Sequence, residues 1–459
     1  MKKGDTISVR IEKLAYGGKG IARFDNQVIF VDETLPGDRV EIRIQRKKKN
    51  YLQGRVLQFL EKSPLRQAAP CAHFGECGGC KWQNLAYPEQ LAFKREQVIE
   101  SLEHLADSRP VQVHATLPSP LRFHYRNKME FSFTDRRWLL ADELANPELK
   151  KDFALGLHVP GAFDRVMHID TCWLQDDTLN RILKESQVYF KDAGLPVFNL
   201  KTHQGLLRFL VLRKSFSHEE YMINIVTFRD ARQELQEYSR KMQQSFPEVV
   251  SFINTVNPRL AQIAFGETEY LLHGKATIRQ KIGKFEFDIS ANSFFQTNPQ
   301  QAEKMYEVVS EEVGEQNRLI WDFYAGTGTI AMFLSENNQK IIGFELVESA
   351  VRDARHNCER NGIKNCEFVQ GDLRQNISRL SEKPDVIVCD PPRSGMHPDI
   401  VQAMLEVAPP KIVYVSCNPT TMARDVKQLS AKYRVTTVHP IDMFPHTYHI
   451  ESVVTLELL

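Results

Sequence analysis

The chain has 459 residues, of which 42% are hydrophobic and 25% charged, with a formal net charge of +1. This length allows two or three domains with separate cores, and the composition is that of an ordinary soluble globular protein. No apolar run approaches the ~20 residues that a membrane helix needs, and the basic start MKKGDTISVR lacks the apolar stretch of a signal peptide, so we expect a cytoplasmic protein with no membrane partner.

The first 60 residues predict a small, OB-like β-barrel. Four short β-type runs alternate with Gly-Gly-Lys-Gly and Pro-Gly-Asp turns, and YLQGRVLQFL adds a fifth run. This segment is basic, and much of its positive charge lies in residues 43–49. A basic module ahead of a near-neutral body indicates an anionic partner such as nucleic acid. A solvated turn is the alternative explanation of this basic run. We assign residues 1–62 to this domain.

A group of cysteines follows in a linker rich in Pro and Gly. Cys71, Cys77 and Cys80 have the spacing C-x5-C-x2-C, and Cys172 in HIDTCWLQ is the natural candidate for a distant fourth ligand. In a reducing cytosol, clustered cysteines are typical of metal binding or catalysis rather than disulfides. The spacing alone leaves zinc and a four-iron cluster open. His73 lies within this loop, and we expect it at the surface rather than among the ligands.

The middle of the chain, 63–290, is taken as a central α+β domain. A helix is predicted over 88–106, because Leu91 and later apolar residues fall in rough helical register, and it could dock on the C-terminal domain. Strand-like runs such as KMEFSFTD, FALGLHV and LRFLVLRK follow without a regular alternation of strand and helix, which leaves the fold of 120–285 open. RFHYRNKMEFSF (122–133) is basic and aromatic enough to help hold RNA, and an ordinary strand with charged flanks is the alternative.

From residue 291 the chain alternates strand and helix, which predicts a doubly wound parallel sheet over 291–459. DFYAGTGT follows an apolar strand and opens a helix, and Gly326 and Gly328 let its backbone turn sharply close to a ligand. Glu345 ends the next strand, where a carboxylate can accept hydrogen bonds from ribose hydroxyls. Asp372 comes at the end of the third strand, where a carboxylate can reach an adenine amine.

The ligand that this pocket predicts is a nucleoside without phosphates. The pattern lacks the third glycine of a dinucleotide fingerprint and also lacks a phosphate-binding lysine. S-adenosylmethionine fits this description. A tight strand-to-helix turn with no ligand is the alternative.

VYVSCNPTT places one further residue at the same sheet edge. A strand is predicted to end at Ser416, because a proline follows and forbids its continuation, so Cys417 projects from a strand tip. Asp390 follows the preceding strand, DVIVC, at this edge. Cys389 lies inside that strand and is expected in the core.

A methyl donor beside a cysteine points to pyrimidine C5 as the methyl acceptor. That carbon is too weakly nucleophilic to attack a methyl sulfonium, and a thiolate that adds to C6 activates it. The cysteine then needs a depressed pKa, and a base must remove the C5 proton. Glu451 is the candidate base. An exposed strand carboxylate, or a zinc site of His446, His449 and Glu451, are the alternatives.

The motifs SCNPTTMARD, DPPRSG, SANSFFQTNPQQAE and PHTYHIE resemble those of the RNA 5-methyluridine methyltransferases. The segment that begins IEKLAYGGKGIARF resembles the TRAM barrel that precedes the catalytic part in the ribosomal RNA branch of that family. The resemblance implies an α/β protein whose C-terminal Rossmann-like domain transfers a methyl group from S-adenosylmethionine to C5 of a uridine in 23S ribosomal RNA. Cys417 is then the nucleophile that forms a covalent adduct at C6, and Glu451 is the base.

The resemblance also implies two sets of binding residues. For S-adenosylmethionine it implies Gln296, Tyr324, Glu345 and Asp390, with Asp372 at a further position of that site, and the loop residues Gly326, Gly328 and Thr329 complete the predicted set. Many family members have Asn where this chain has Thr329. The second set is Cys71, Cys77, Cys80 and Cys172, which the resemblance assigns to a structural [4Fe-4S] cluster in the central domain.

The expected partner is a single-stranded loop of ribosomal RNA with a flipped uridine. We expect a monomer without an obligate protein partner. A transfer RNA uridine methyltransferase is the alternative within enzymes. An RNA-binding or chaperone protein with a degenerate methyltransferase domain is the alternative outside them.

Overall fold

The structure is a computed structural model and describes residues 1–106, 112–140, 143–377 and 382–459. Its described strands form three large sheets and one separate hairpin. None of the described helices is both long enough and apolar enough to cross a bilayer.

The first sheet is built by the N-terminal residues. Its strands are β1 Thr6–Arg10, β2 Lys13–Leu14, β3 Gly20–Phe24, β4 Gln27–Val31, β5 Arg39–Lys47 and β6 Tyr51–Glu61. They pair in the order β1-β5-β6-β4-β3-β2 around a core of alternating residues that includes Ala22, Ile29 and Ile42. The sequence predicts five strands here; the sixth, β2, has two residues and is too short to produce an alternating pattern.

The second sheet belongs to the central region and resolves the part of the chain that the sequence left open. Its order is β15-β14-β13-β12-β8-β10-β11-β9. The elements are β8 Lys128–Thr134, β9 Arg137–Trp138, β10 Ala154–Val159, β11 Ala162–His168, α2 Asp177–Ala193, β12 Leu207–Lys214, β13 Tyr221–Thr227, α3 Arg232–Ser245, β14 Val249–Val256 and β15 Thr268–Gly274, with one 3₁₀ turn Glu143–Ala145. Strands β12 and β13 are buried along nearly their whole length, which explains why they appear as continuous apolar runs.

The third sheet lies in the C-terminal half, after the separate hairpin of β16 Ile278–Ile282 and β17 Phe285–Ile289. Its order is β20-β19-β18-β21-β22-β24-β23-β7. The elements are α1 Tyr87–Leu105, β7 Gln112–Val113, α4 Pro299–Val313, β18 Ile320–Phe323, α5 Thr329–Leu334, β19 Ile341–Glu345, α6 Glu348–Arg360, β20 Cys366–Gln370, α7 Leu373–Asn376, β21 Val386–Cys389, α8 Pro398–Val407, β22 Lys411–Ser416, α9 Pro419–Leu429, β23 Tyr433–Ile441 and β24 Glu451–Leu458.

The prediction of a wholly parallel sheet is wrong for one side of this sheet. Strands β18 to β22 pair in parallel, as the strand–helix alternation predicts, whereas β24 is antiparallel to both β22 and β23. No helix separates β23 from β24, and a direct return of this kind makes an antiparallel pair. This arrangement brings the start of β24 to the end of β22.

The region before the central sheet also joins the third sheet. Strand β7 pairs in parallel with β23, and the buried residues Val98 and Leu102 of α1 lie in the same apolar core as Met422 of α9. The chain therefore crosses from the N-terminal part into the C-terminal core and back before it builds the central sheet. The domain limits 1–62, 63–290 and 291–459 stay predictions.

Candidate active site

The predicted site residues lie at the carboxyl edge of the third sheet. Tyr324, Glu345, Asp390 and Cys417 stand at or directly after the ends of β18, β19, β21 and β22 respectively. Because parallel strands end at one edge, the topology brings these four side chains to the same crevice, where open α/β sheets bind ligands. Cys389 is fully buried inside β21, as predicted.

The loop between β18 and α5 has left-handed backbone at three positions. The φ angles are 64° at Tyr324, 55° at Gly326 and 79° at Gly328. The N–H of Gly326 donates to Oε2 of Glu345 at 3.0 Å, so the loop holds the acidic side chain of the next strand. A Cβ at Gly328 would lie 2.8 Å from the Phe368 ring, whereas a Cβ at Gly326 would meet nothing within 4 Å. Gly328 is thus required for packing, and Gly326 leaves open space above the loop.

Two aspartates beside this loop have raised pKa values. Asp322, the penultimate residue of β18, is fully buried, and burial with the nearby Asp390 carboxylate raises its pKa well above the ordinary value. Burial raises the pKa of Asp390 to about 7. The sequence analysis did not single out Asp322, although it is the first residue of DFYAGTGT.

The remaining predicted cofactor residues surround the same crevice. The carbonyl of Gln296 accepts a hydrogen bond of 3.0 Å from Asn127 of the central region, which fixes the loop before α4. Thr329 is buried at the first position of α5. Asp372 caps α7 and pairs with Arg374, whose hydrogen bonds lower the pKa of Asp372 to about 2. Its carboxylate is therefore ionised and already held by a guanidinium.

The register of β22 and β24 brings Cys417 and Glu451 together. Ser416 pairs with Ser452 in these antiparallel strands, so the next position along β22, Cys417, faces the first residue of β24, Glu451. Asn418 then caps α9 by accepting from the N–H of Thr420 at 3.1 Å, and this fixes the turn that carries the thiol.

The protonation states of these two groups differ from the expectation. The sequence argument requires a thiol of lowered pKa, but burial raises the pKa of Cys417 to about 11, and the Glu451 and Asp390 carboxyls add to the rise. Glu451 is itself buried, and burial with Asp390 raises its pKa well above the ordinary value. The prediction of a depressed thiol pKa is wrong, because the thiol is desolvated beside acidic groups.

Arg393 supplies the positive charge that opposes the effect of burial and of the acidic groups on Cys417 and Glu451. No role for it was predicted from the sequence. Its guanidinium lowers the pKa of both Cys417 and Glu451, and it donates to Nδ1 of His449 at 2.5 Å. Its carbonyl accepts from Nδ2 of Asn418 at 3.0 Å, so its loop is tied to the turn that carries the Cys417 thiol. Arg393 lies in DPPRSG, two prolines after the strand-end Asp390, and this position is the sequence signal that could have identified it.

The zinc alternative for the histidines near Glu451 receives no support. The His446 ring stacks on Phe123 with centroids 4.2 Å apart, and its Nδ1 lies 3.2 Å from Nε2 of Gln90. The other ring, His449, faces the Arg393 guanidinium, and burial lowers its pKa to about 4. A cation would have to displace Arg393 to bind there.

The four predicted cluster cysteines line one cavity of about 290 Å³. Cys77 Sγ accepts the N–H of Gly79 at 3.3 Å, and burial raises the pKa of Cys77 to about 11 and of Cys80 to about 12. The backbone N–H of Cys172 donates to Oδ1 of Asn180 at 2.9 Å, which fixes the distant member against α2. A shared cavity lined by sulfur donors is compatible with a cluster.

No group of three or more His, Cys, Asp or Glu among the described residues is arranged to hold a metal ion as it stands. The surface position expected for His73 is wrong: the side chain is 5% exposed, and its Nε2 accepts from the N–H of Asp170 at 3.2 Å. His73 thus ties the cysteine loop to the segment that carries Cys172.

The two predicted RNA-binding segments differ in exposure. The basic run 43–49 is largely exposed, on the end of β5 and the turn after it. In 122–133, however, Tyr125, Phe131 and Phe133 are buried in the central core, so these rings pack inside the protein. This favours the ordinary-strand alternative for that segment.

Comparison with known proteins agrees with this geometry. The family model described as tRNA (Uracil-5-)-methyltransferase matches residues 214–458, and the TRAM domain matches residues 1–57. An uncharacterized RNA methyltransferase of Chlorobaculum tepidum is 41% identical, with 99% of this chain and 97% of that protein covered. One of Bacteroides thetaiotaomicron is 40% identical, with 97% and 100% covered.

A solved structure of similar architecture is the Pyrococcus abyssi tRNA (uracil-54, C5)-methyltransferase in complex with S-adenosyl-L-homocysteine. It is 30% identical to this chain, with a TM-score of 0.74, and the match covers 98% of this chain and 100% of that one.

Proposed function

The chain belongs to the tRNA (Uracil-5-)-methyltransferase family of S-adenosylmethionine-dependent RNA uracil-C5 methyltransferases, and from this premise we propose that it methylates C5 of a uridine in 23S ribosomal RNA through a covalent adduct on Cys417. The observation that carries the proposal is the pairing of β22 with β24, which sets Cys417 opposite Glu451 at the edge that also bears the glycine loop.

The proposed reaction assigns one bond change to each group. The Cys417 thiolate bonds to C6 of the flipped uracil, and the electron pair of the C5–C6 double bond moves toward C5 and O4. S-adenosylmethionine supplies the methyl group, which C5 attacks. Glu451 then takes the proton from C5, the sulfur–C6 bond breaks, and the C5–C6 double bond returns.

The electrostatics of the site support a division of roles between Arg393 and Glu451. Arg393 is a cation that favours the thiolate of Cys417, whose pKa is otherwise raised by burial. A buried carboxylate of raised pKa is a strong base once it is ionised, which suits Glu451 to the removal of a carbon-bound proton. Glu451 is buried and Cys417 is half-buried, so little water reaches the base.

We assign the donor's binding to the crevice around the glycine loop. Gly326 leaves open space above the loop, Gly328 allows its left-handed backbone against Phe368, and Glu345 is oriented by the loop. Asp390 and Tyr324 stand at neighbouring strand ends. Gln296, Thr329 and Asp372 complete the proposed set. Carboxylates at this edge suit a ligand that carries ribose hydroxyls and positive charge.

Cys71, Cys77, Cys80 and Cys172 are proposed to hold a [4Fe-4S] cluster with a structural role. The support is their common cavity, and their protonated thiols would give up protons on cluster binding. The backbone N–H groups of Lys81 and Trp82, directly after Cys80, both donate to the carbonyl of His446. A cluster would therefore fix the loop that precedes Glu451.

Transfer RNA is the second candidate substrate, and the name of the Pyrococcus abyssi enzyme favours it. The TRAM domain and the four cysteines favour ribosomal RNA through the resemblance of this chain to that branch. Offering both RNAs in one assay with radiolabelled S-adenosylmethionine decides between them: label in 23S ribosomal RNA alone supports the proposal, and label in transfer RNA alone replaces the substrate.

The covalent mechanism is tested with Cys417→Ala and Glu451→Gln. Cys417→Ala loses methyl transfer and retains RNA binding, whereas Glu451→Gln accumulates a protein–RNA species that survives denaturing gels. Mass spectrometry of wild-type enzyme stalled on a 5-fluorouridine RNA locates the link. Normal turnover by Cys417→Ala, or a link at another residue, contradicts the mechanism. Absence of S-adenosylmethionine binding in calorimetry would instead indicate an RNA-binding protein with a degenerate methyltransferase domain.

A further inference from the structure

We propose that Tyr16, a residue of the N-terminal TRAM domain, forms one wall of the uracil pocket and is a positioning residue for Cys417. The proposal rests on the proposed function, since it concerns the same nucleophile. It extends that function because it makes the TRAM domain part of the active site, and not only a separate RNA-binding surface.

The first observation is a contact between residues 401 positions apart in the chain. The hydroxyl of Tyr16 lies 3.5 Å from the backbone carbonyl oxygen of Cys417 and points its O–H toward it, a weak contact longer than an ordinary O–H···O hydrogen bond. The side chain is half-buried, and burial raises its pKa to about 12, with smaller influences from Arg393, Cys417 and Glu451. Tyr16 is therefore a neutral phenol that stands among all three groups of the proposed chemistry.

The second observation is a continuous row of rings that begins at Tyr16. Its ring meets Tyr448 edge-on, with centroids 5.8 Å apart and an interplanar angle of 87°. Tyr448 in turn lies against His449 at 4.2 Å, and His449 contacts the Arg393 guanidinium. The row therefore begins at a contact with Cys417 and ends at Arg393, whose carbonyl accepts from Asn418 on the same turn. A wall of flat rings suits a planar base that has left its stack.

The third observation is that the loop carrying Tyr16 is held rigidly. The N–H of Ala15 donates to the carbonyl of Lys19 at 2.8 Å, and the carbonyl of Ala15 accepts from Nε2 of Gln97 on α1 at 3.4 Å. Gly18 has a φ of 80°, and a Cβ there would lie 3.4 Å from both Trp82 and Tyr448.

An ion pair between Lys13 and Glu100 adds a further link between the barrel and α1. Tyr16 is thus presented on a fixed turn, as a positioning residue requires.

These contacts give Tyr16 two separable effects. Its ring limits the space in which the base can approach the sulfur, and its hydroxyl restrains the peptide that follows the thiol. Loss of either misplaces the reacting atoms rather than weakening the grip on phosphates. Small misplacements of reacting groups cost up to about 100-fold in rate, whereas affinity for RNA depends mostly on contacts to the backbone.

The test measures the rate of adduct formation with a 5-fluorouridine RNA in a single turnover, at saturating RNA and S-adenosylmethionine. Tyr16→Ala is expected to slow this rate about tenfold or more, and Tyr16→Phe, which keeps the ring, to recover most of it. The RNA dissociation constant stays within about twofold of wild type in both variants. Tyr51→Phe, which removes a hydroxyl from a barrel ring that packs on Phe30, is the matched control.

A second measurement needs no RNA and does not depend on methyl transfer. Iodoacetamide should modify Cys417 faster in Tyr16→Ala than in wild type, because the ring no longer covers the nucleophile turn, and thermal melts show that both proteins are folded. Equal alkylation rates, or a wild-type rate of adduct formation in Tyr16→Ala, overturn the role of Tyr16. Failure of the wild-type enzyme to form an adduct overturns the proposed function itself.

Discussion

Nζ of Lys94 lies 2.5 Å from Oδ1 of Asp442, and both side chains are fully buried. The pair joins α1 to the loop between β23 and β24, and the same lysine donates to the carbonyl of Phe444 at 3.1 Å. The hydroxyl of Tyr87 donates to the second oxygen of Asp442 at 2.8 Å. A helix that precedes the central sheet therefore fixes the loop that leads to Glu451.

Lys94→Met is expected to destabilise the protein by roughly 3–5 kcal/mol, because it leaves the Asp442 carboxylate buried without its cation. Urea unfolding of the variant and of wild type measures the difference. The double variant Lys94→Met, Asp442→Leu should recover much of the loss, since it removes both charges together. Equal stability of Lys94→Met and wild type would show that the pair contributes nothing.

The sequence predicted the positions of the candidate site residues in the sheet better than it predicted their surroundings. Strand-end positions depend on local pattern, so Glu345, Asp390 and Cys417 could be placed at one edge from the alternation of strand and helix alone. The contact of Tyr16 with Cys417 could not be predicted this way, because no local pattern encodes how a separate barrel docks.

The same reason explains the wrong expectations. Burial decides a pKa, and the sequence does not show what covers a side chain, so the raised pKa of Cys417 and the buried position of His73 were missed. The aromatic residues in 122–133 have the composition of an RNA surface, yet Phe131 and Phe133 alternate along β8 on the side that faces the core.

Gly328→Ala is expected to weaken S-adenosylmethionine binding and to cost about 1–3 kcal/mol of stability, because the backbone is left-handed there and the new Cβ meets Phe368. Gly326→Ala is the matched control: it has the same backbone strain in open space, so it retains more of the stability. Calorimetry and thermal melts measure both effects. If Gly328→Ala is as stable as Gly326→Ala, the contact with Phe368 is not what requires glycine at position 328.

The raised pKa of Asp390 predicts that the binding of S-adenosylmethionine depends on pH. Its pKa is raised to about 7, so the carboxyl is largely protonated below that pH and ionised above it. Because the donor carries a sulfonium cation, its affinity should rise as pH rises through about 7. Calorimetric titrations from pH 6 to pH 8 measure this. Asp390→Asn should flatten the dependence, and Asp399→Asn, on the exposed face of α8, should leave it intact. An affinity that falls with pH in wild type excludes Asp390 as the titrating contact.

Arg393→Gln tests the charge that faces the nucleophile. Removal of the guanidinium raises the pKa of the Cys417 thiol further, because Arg393 is the cation that opposes burial and the carboxyls there. Alkylation of Cys417 by iodoacetamide, followed by mass spectrometry between pH 7 and pH 9, should slow several-fold in the variant. Arg393→Lys should restore part of the rate. Faster alkylation in Arg393→Gln would mean that the side chain acts by shielding the thiol.

The iron content of the protein tests whether the cysteine cavity holds a [4Fe-4S] cluster. Protein purified without oxygen should be brown, with about four irons per chain, and Cys80→Ser should lose the iron and the colour. Cys366→Ser, at the start of β20 and outside the cavity, is the control and should keep both. Because Lys81 and Trp82 hold the His446 carbonyl, removal of the iron by a chelator should also speed proteolysis of the loop before Glu451. If the protein is colourless and contains zinc, the iron assignment is wrong. If removal of that zinc also speeds proteolysis of the loop, the cavity still has a structural role.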